Sequence, residues 1–357
     1  MNVGDIVDEK YQLESEIGQG SFGTVFLAKQ VQIDRTVALK VLLPWVKADQ
    51  AMRHRFRREA KLASVLRNEH TIDIFDFGET SEGDLYIVME YLEGAPLDVV
   101  LKEEVSMNPS RVKHIALQTL HSLQEAHDKG IVHRDLKPDN IFLCNNALQK
   151  DFVKVFDFGI AKIVGGGQGA LKETTKLTVT GGTVGTPVYM SPEQCRGQDL
   201  SPASDIYSLG IVLYECLTGT VPFEDSNPVQ TMMMHNNAEV PPLPDELAST
   251  EVGKAIMKSL NKKISDRFAT ADAFAAALKG EQIPEEKPGA SVTHPNESSR
   301  TPVETGSGSS STSRPSPVSG SSQPAAQIAG IPLWAALLGV LVLGVFIGVG
   351  VFLILQK

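Results

Sequence analysis

Short runs of alternating and β-branched residues, broken by glycines, occupy positions 11–40 and predict strands there. Residues 53–66 change to helical spacing with many charges, the pattern of a partly exposed helix. A second pair of strand-like runs follows at 71–79 and 84–92. From residue 98 onward the pattern is mostly helical, with apolar residues three to four apart over 109–129, 204–217 and 251–260, and a last short helix at 272–278. A small β-rich lobe ahead of a larger helical lobe is an α+β arrangement, with a cleft expected between the two.

Beyond residue 280 the pattern changes twice. Residues 280–330 are rich in Ser, Pro, Gly and Thr and hold too few apolar side chains to offset chain entropy, so they read as a disordered linker. As a random coil of about 50 residues it would reach roughly 40 Å. Residues 331–355 contain no charged side chain. As a helix of about 25 residues this stretch is roughly 37 Å long, enough to cross a hydrocarbon core of roughly 30 Å with some tilt. Trp334 lies near one end, where an indole suits the interface. The expected organisation is a folded domain at 11–279, a juxtamembrane linker at 280–330 and one transmembrane helix at 331–355.

Composition narrows the function. With 357 residues, 42% hydrophobic and 21% charged, the chain is neither collagenous, wholly disordered nor a polytopic membrane protein. Its net charge of −10 argues against a nucleic-acid partner held by phosphate contacts. Cys144, Cys195 and Cys216 form no CxxC pair and read as reduced thiols of a cytosolic compartment. The first residues show no signal peptide, and Asn2 gives no support for myristoylation.

Gly18-Gln19-Gly20-Ser21-Phe22-Gly23 is a GxGxxG. Alone it is weak, because dinucleotide folds place the same string at a strand-to-helix turn. Here a strand-like run follows, so the glycines mark a hairpin tip able to lie over phosphates. Lys40 then stands in the apolar run Val37-Ala38-Leu39-Lys40; a cation there needs a partner, and Glu59 in the following helix is the candidate. His133-Arg134-Asp135-Leu136-Lys137-Pro138-Asp139-Asn140 ends a helix and precedes an apolar run, and Asp157-Phe158-Gly159 comes later. Phe-Asp-Phe-Gly occurs twice. Only Asp157, 22 residues after Asp135, follows the His-Arg-Asp loop; Asp76 precedes it and is expected to be structural.

This ordered set of motifs over residues 11–278 resembles the eukaryotic-type protein kinase family. The resemblance implies a bilobal fold, with Gly18, Gln19, Gly20, Ser21, Phe22 and Gly23 covering the phosphates of ATP. It implies that Lys40, held by Glu59, contacts the α- and β-phosphates. Val25, Ala38 and Phe142 would then sandwich adenine, with Met89 as gatekeeper and backbone groups of Glu90 and Leu92 reading its edge. Asn140 and Asp157 would bind Mg²⁺, or Mn²⁺ in its place. Asp135 would accept the proton of a substrate hydroxyl, and Lys137 would offset charge on the transferring phosphoryl.

The segment from Asp157 to Glu193 looks like the activation segment of bacterial transmembrane Ser/Thr kinases, with a Gly- and Thr-rich middle expected to be mobile. Thr178 and Thr180 match best as autophosphorylation sites, with Thr183 a third candidate. Arg134 would offer a cation to a phosphothreonine. Thr186 is expected in the substrate groove, Glu193 paired with Arg267, and Asp205 bracing the His-Arg-Asp backbone. Phe268 replaces the proline common after that arginine, a local packing change. His235 and Met232–Met234 are read as packing or docking surface.

The leading expectation is a Mg²⁺- and ATP-dependent kinase of protein Ser/Thr hydroxyls. A pseudokinase scaffold would have lost Lys40, Asp135, Asn140 or Asp157, and none is lost. A small-molecule kinase is disfavoured by Lys137 and the Gly185–Glu193 segment. ATP and reduced cysteines place the domain in the cytoplasm, giving a C-terminally tail-anchored, single-pass protein of the cell membrane. Gly344 and Gly348 form a GxxxG, which leaves a homodimer open as a partner alongside protein substrates.

Overall fold

The computed structural model describes residues 1–20, 23–43, 50–145, 150–158 and 187–281. Strands β1 (Ile6–Val7), β2 (Tyr11–Gly20), β3 (Gly23–Gln30), β4 (Arg35–Leu42), β5 (Ile74–Glu79) and β6 (Leu85–Glu90) form an antiparallel sheet in the order β1-β2-β3-β4-β6-β5. Between β4 and β5 lies helix α1 (Gln50–Ala63).

β4 is a central strand, hydrogen-bonded on both edges, and Val37 to Lys40 are all buried. Alternation sends Val37 and Leu39 into an apolar cluster with Tyr11, Leu13, Phe26 and Tyr86. The opposite face carries Ala38, Lys40 and Leu42. There Leu42 packs with Leu85, Ile87 and Phe56 of α1. Helix α1 is also tied to the sheet edge: Arg53 and Arg57, one turn apart, reach Glu79 of β5 at 3.1 and 2.6 Å. Asp76, the decoy aspartate, is on β5 and accepts from Tyr11 Oη at 3.0 Å, a purely structural role.

The larger lobe begins with β7 (Gly94–Pro96), α2 (Leu97–Glu103) and α3 (Pro109–Asp128). Asn108 caps α3 by accepting from Arg111 N, with Pro109 in the first turn, where its missing N–H costs nothing. A 3₁₀ turn (Pro138–Asn140) leads into β8 (Ile141–Cys144), which pairs with β7 and with β9 (Phe152–Val155). After a second 3₁₀ turn (Pro187–Tyr189) come α4 (Pro192–Cys195), α5 (Pro202–Thr218), α6 (Pro228–Asn237), α7 (Asp245–Ala248), α8 (Glu251–Ser259) and, past a third 3₁₀ turn (Ile264–Asp266), α9 (Ala271–Lys279). The three short strands β7 to β9 were not foreseen from the sequence, because their runs are only three or four residues long.

α5 is apolar nearly all round and is correspondingly buried on nearly every face, the behaviour of a core helix. Ser204 Oγ accepts from Ser201 N at 3.2 Å at its start, and Gly219 ends it in the left-handed conformation at φ 76°. α8 lies close against it: a Cβ at Gly210 would sit 2.1 Å from Ser259 Oγ, so any larger residue forces that side chain to move. Phe268 fills its place by stacking on Phe274, ring centroids 4.8 Å apart.

The chain divides into two units, Met1–Lys287 and Pro288–Lys357. The second lies outside the described residues, as do most of the expected linker and all of segment 331–355. Among the described residues no helix is long and apolar enough to cross a membrane.

Candidate active site

Sheet register sets one side of the cleft. Val25 is opposite Lys40 and Ala38 is opposite Met89, so these four side chains share one face of the sheet. At the β2–β3 tip, Gly20 pairs with Gly23; Ser21 and Phe22 between them lie outside the described residues. A Cβ on Gly23 would lie 2.0 Å from Val41 O, so this glycine is demanded by packing of the hairpin on β4. Around Gly18, by contrast, a Cβ would meet nothing within 4 Å. The Glu90 N–H donates to Asp73 O at 3.0 Å and is thus committed within the protein. The Glu90 carboxylate holds Lys154 Nζ at 2.6 Å. Leu92 and Phe142 are half-buried, and the Phe142 ring is 5.5 Å from that of Phe156.

The other side is built by the loop after α3. Asp205, 1% exposed, accepts from His133 N at 2.8 Å and from Arg134 N at 2.9 Å. Two backbone N–H groups on one buried carboxylate fix the loop where Arg134 takes a positive φ of 72°. His133 adds two more links: Nδ1 accepts from Asp135 N at 3.3 Å, so Nε2 carries the hydrogen and donates to Phe156 O at 2.7 Å. Asn140 Nδ2 donates to Asp135 O at 2.7 Å and to Asp135 Oδ2 at 3.3 Å. Lys137 Nζ is 3.2 Å from the same Oδ2. Burial opposes the Lys137 charge, but Asp135 outweighs it and raises the pKa above the ordinary lysine value.

The hairpin of β8 and β9 brings the distant aspartate into place. Ile141 pairs with Val155, and Phe156 N donates to Asn140 O at 2.9 Å, so Asn140 and Asp157 flank one ladder end. Asp157 has a positive φ of 56°. Its Oδ2 is 2.7 Å from Lys40 Nζ. Burial alone raises the Asp157 carboxyl, yet Lys40, with His133 and Lys137, brings it below the usual carboxylate value.

The Lys40 partner corrects the sequence reading. Lys40 was expected on Glu59, but among the described residues its ion pair is with Asp157, and Glu59 stands half-buried on α1 without joining it. The reason is geometric. One buried ammonium takes the carboxylate brought to hydrogen-bond distance, while α1 is held toward Glu79 through Arg53 and Arg57.

Residues 11–278 match the family model of the protein kinase domain. The chain belongs to the protein kinase family. It is 42% identical over 281 residues to the serine/threonine-protein kinase pkn3 of Myxococcus xanthus, covering 78% of this chain and 51% of that protein. It is 38% identical over 278 residues to the serine/threonine-protein kinase PknB of Mycobacterium leprae, covering 76% and 43%. The chain thus spans about half or less of the curated relatives it matches. The crystal structure of the Mycobacterium tuberculosis PknI kinase domain superposes with a TM-score of 0.60 at 24% identity, covering 78% of this chain and 98% of that one, a likeness of fold.

In this member of the family the end of the segment from Asp157 to Glu193 is locked to the large lobe. Arg267 Nη1 and Nη2 meet Glu193 Oε1 and Oε2 at 2.8 and 2.9 Å. Gln194 Nε2 donates to Arg134 O at 2.9 Å, and Tyr189 Oη to Glu215 Oε2 at 2.8 Å. The Arg134 Nε is buried and makes no hydrogen bond among the described residues. Thr178, Thr180, Thr183 and Thr186 lie outside the described residues. His235 is fully buried, with Nδ1 3.0 Å from Tyr207 Oη, while Met233 of the same helix is exposed.

Sequence reading missed three supporting groups of the kinase site. His127 Nε2 is 2.8 Å from Asp205 Oδ2; its place in the last turn of a helix, six residues before His133, was the available signal. Gln194 and the Phe158 ring, 4.7 Å from His133, offered none, because their partners are far along the chain.

Proposed function

We propose that the chain is a Mg²⁺- and ATP-dependent serine/threonine protein kinase, anchored to a membrane through residues 331–355 with its catalytic domain on the cytoplasmic side. The observation that carries the catalytic reading is the Asp135 carboxylate oxygen, 3.2 Å from Lys137 Nζ and 3.3 Å from Asn140 Nδ2. A carboxylate held in place by two donors is suited to accept a hydroxyl proton and to aim the hydroxyl oxygen at a phosphoryl group.

The donor set fits a hard divalent cation. The Asn140 amide nitrogen is committed to Asp135, which leaves its amide oxygen as a donor, and Asp157 is held ionised. Asn140 and Asp157 would hold Mg²⁺, which supplies neutralisation of phosphate charge when bound. Lys40 stands on the same sheet face as Val25, Ala38 and Met89, which places an ammonium at one end of an apolar slot fit for a base. Lys137 stays cationic and is positioned to offset charge on the phosphoryl in transfer.

The Arg134 Nε, beside Asp135 and without a hydrogen bond among the described residues, supports autophosphorylation at Thr178, Thr180 or Thr183 as a cation for a phosphothreonine. The absence of any charge across 331–355 supports the membrane anchor, and Gly344 with Gly348 supports helix pairing into a homodimer. The full chain incubated with Mg·ATP and a basic test protein should label both itself and that protein. Labelling no greater than that of Asp135→Ala would overturn the catalytic reading. Protease access to the domain from outside intact cells would overturn the orientation.

A further inference from the structure

Outside the cleft, the segment between α1 and β5 gathers three metal-ligating side chains that phosphotransfer does not use. Glu69 and His70 lie on that segment and His121 on α3, and their ligand atoms are all within 4.8 Å of one another. His70 is buried, and its Nδ1 is 3.0 Å from Val153 O. A carbonyl only accepts, so Nδ1 carries the hydrogen and Nε2 presents its lone pair outward. That Nε2 faces Glu69 Oε1 at 3.9 Å, too far for a hydrogen bond.

The frame around these ligands is rigid. Glu125 of α3 accepts from Arg67 N and Asn68 N at 2.9 and 2.8 Å. Asn68 Oδ1 accepts from His70 N at 2.9 Å, and Asn68 Nδ2 donates to His121 O at 3.2 Å. Thr71 and Ser122 share a hydroxyl hydrogen bond of 2.7 Å. The His70 ring is further fixed against Phe152, centroids 4.7 Å apart. The two elements that carry the ligands are therefore locked to each other, with one ligand immobile and two exposed ones free to adjust.

We propose that Glu69, His70 and His121 form a binding site for one divalent transition-metal ion of the zinc class. Two imidazole nitrogens and one carboxylate oxygen suit such an ion, with water completing the set, whereas Mg²⁺ prefers oxygen alone. Metal–ligand bonds of about 2.0–2.1 Å put ligand atoms about 3.3 Å apart. Rotation of the exposed Glu69 and His121 side chains closes that remaining gap. The site sits on the joint between lobes: Val155 N donates to His70 O at 2.8 Å and Ile72 N to Val155 O at 3.0 Å, two residues ahead of Asp157.

The test uses the full, tag-free chain titrated with Co²⁺ in excess Mg²⁺ and without nucleotide. One equivalent should give an intense visible ligand-field band, unlike the weak band of an all-oxygen octahedral site, and Zn²⁺ should abolish it. His121→Ala and Glu69→Gln alter exposed side chains and should each weaken Co²⁺ affinity at least about tenfold. His54→Ala, an exposed histidine of α1, should leave it unchanged. A wild-type chain with no saturable band, or either ligand variant binding as tightly as wild type, overturns the proposal.

Discussion

Arg267 and Glu193 face each other through two parallel hydrogen bonds of 2.8 and 2.9 Å, with side chains 0% and 1% exposed. Arg267 also donates to the carbonyls of Ala203, Asn261 and Lys262. Burial alone raises the Glu193 carboxyl, yet Arg267 holds it at about 2. Removing one member leaves a buried charge without compensation. Arg267→Ala should therefore cost about 3–5 kcal/mol of stability, read from urea unfolding midpoints. A loss under about 1 kcal/mol would refute the pair's role as a lock.

Lys40 and Asp157 tie a strand of the small lobe to the segment following β9. Lys40→Met and Asp157→Asn should each lower kcat for phosphate transfer by about 100-fold or more, while circular dichroism shows a folded chain. Retention of wild-type kcat by either variant would remove both from the site.

Asp205 carries the backbone of the catalytic loop without facing the cleft. Asp205→Asn turns one acceptor oxygen into a donor, which then opposes either Arg134 N, or His133 N together with His127. A loss of about 1–3 kcal/mol in stability is expected, together with a lower kcat at nearly unchanged KM for ATP. An unchanged kcat would show that the loop holds its shape without this carboxylate.

His235 makes the domain acid-sensitive. Burial, aided by the Lys262 charge, lowers its pKa to about 4 from an ordinary 6.5. Below pH 6.5 the unfolded chain takes up a proton that the folded chain refuses, so stability falls as pH drops from 6.5 toward 4. The linkage amounts to about 3 kcal/mol across that window. His235→Gln keeps an acceptor for Tyr207 and should flatten the slope there, leaving the steeper loss below pH 4.5 from groups such as Glu193. An unchanged slope between pH 6.5 and 4 would exclude His235 as its source.

The sequence alone determined the chemistry contained in contiguous motifs. Asp135, Lys137 and Asn140 lie within six positions, so a short loop cannot help but bring them together, and the family resemblance supplied their order. Alternation along 37–42 likewise fixed that Lys40 and Ala38 share a face, because strand geometry has a period of two. The sequence also showed that residues 331–355 differ in kind from the rest. Tertiary structure decided the pairings that span the chain. Lys40 meets Asp157 rather than Glu59 because β9 delivers the aspartate while α1 is held toward Glu79. Gly23 is required by the approach of Val41 O, a contact between strands that no local pattern encodes. Glu69, His70 and His121 become neighbours only when the α1–β5 segment docks on α3. Local spacing fixes which side chains share a face; only packing decides which faces meet.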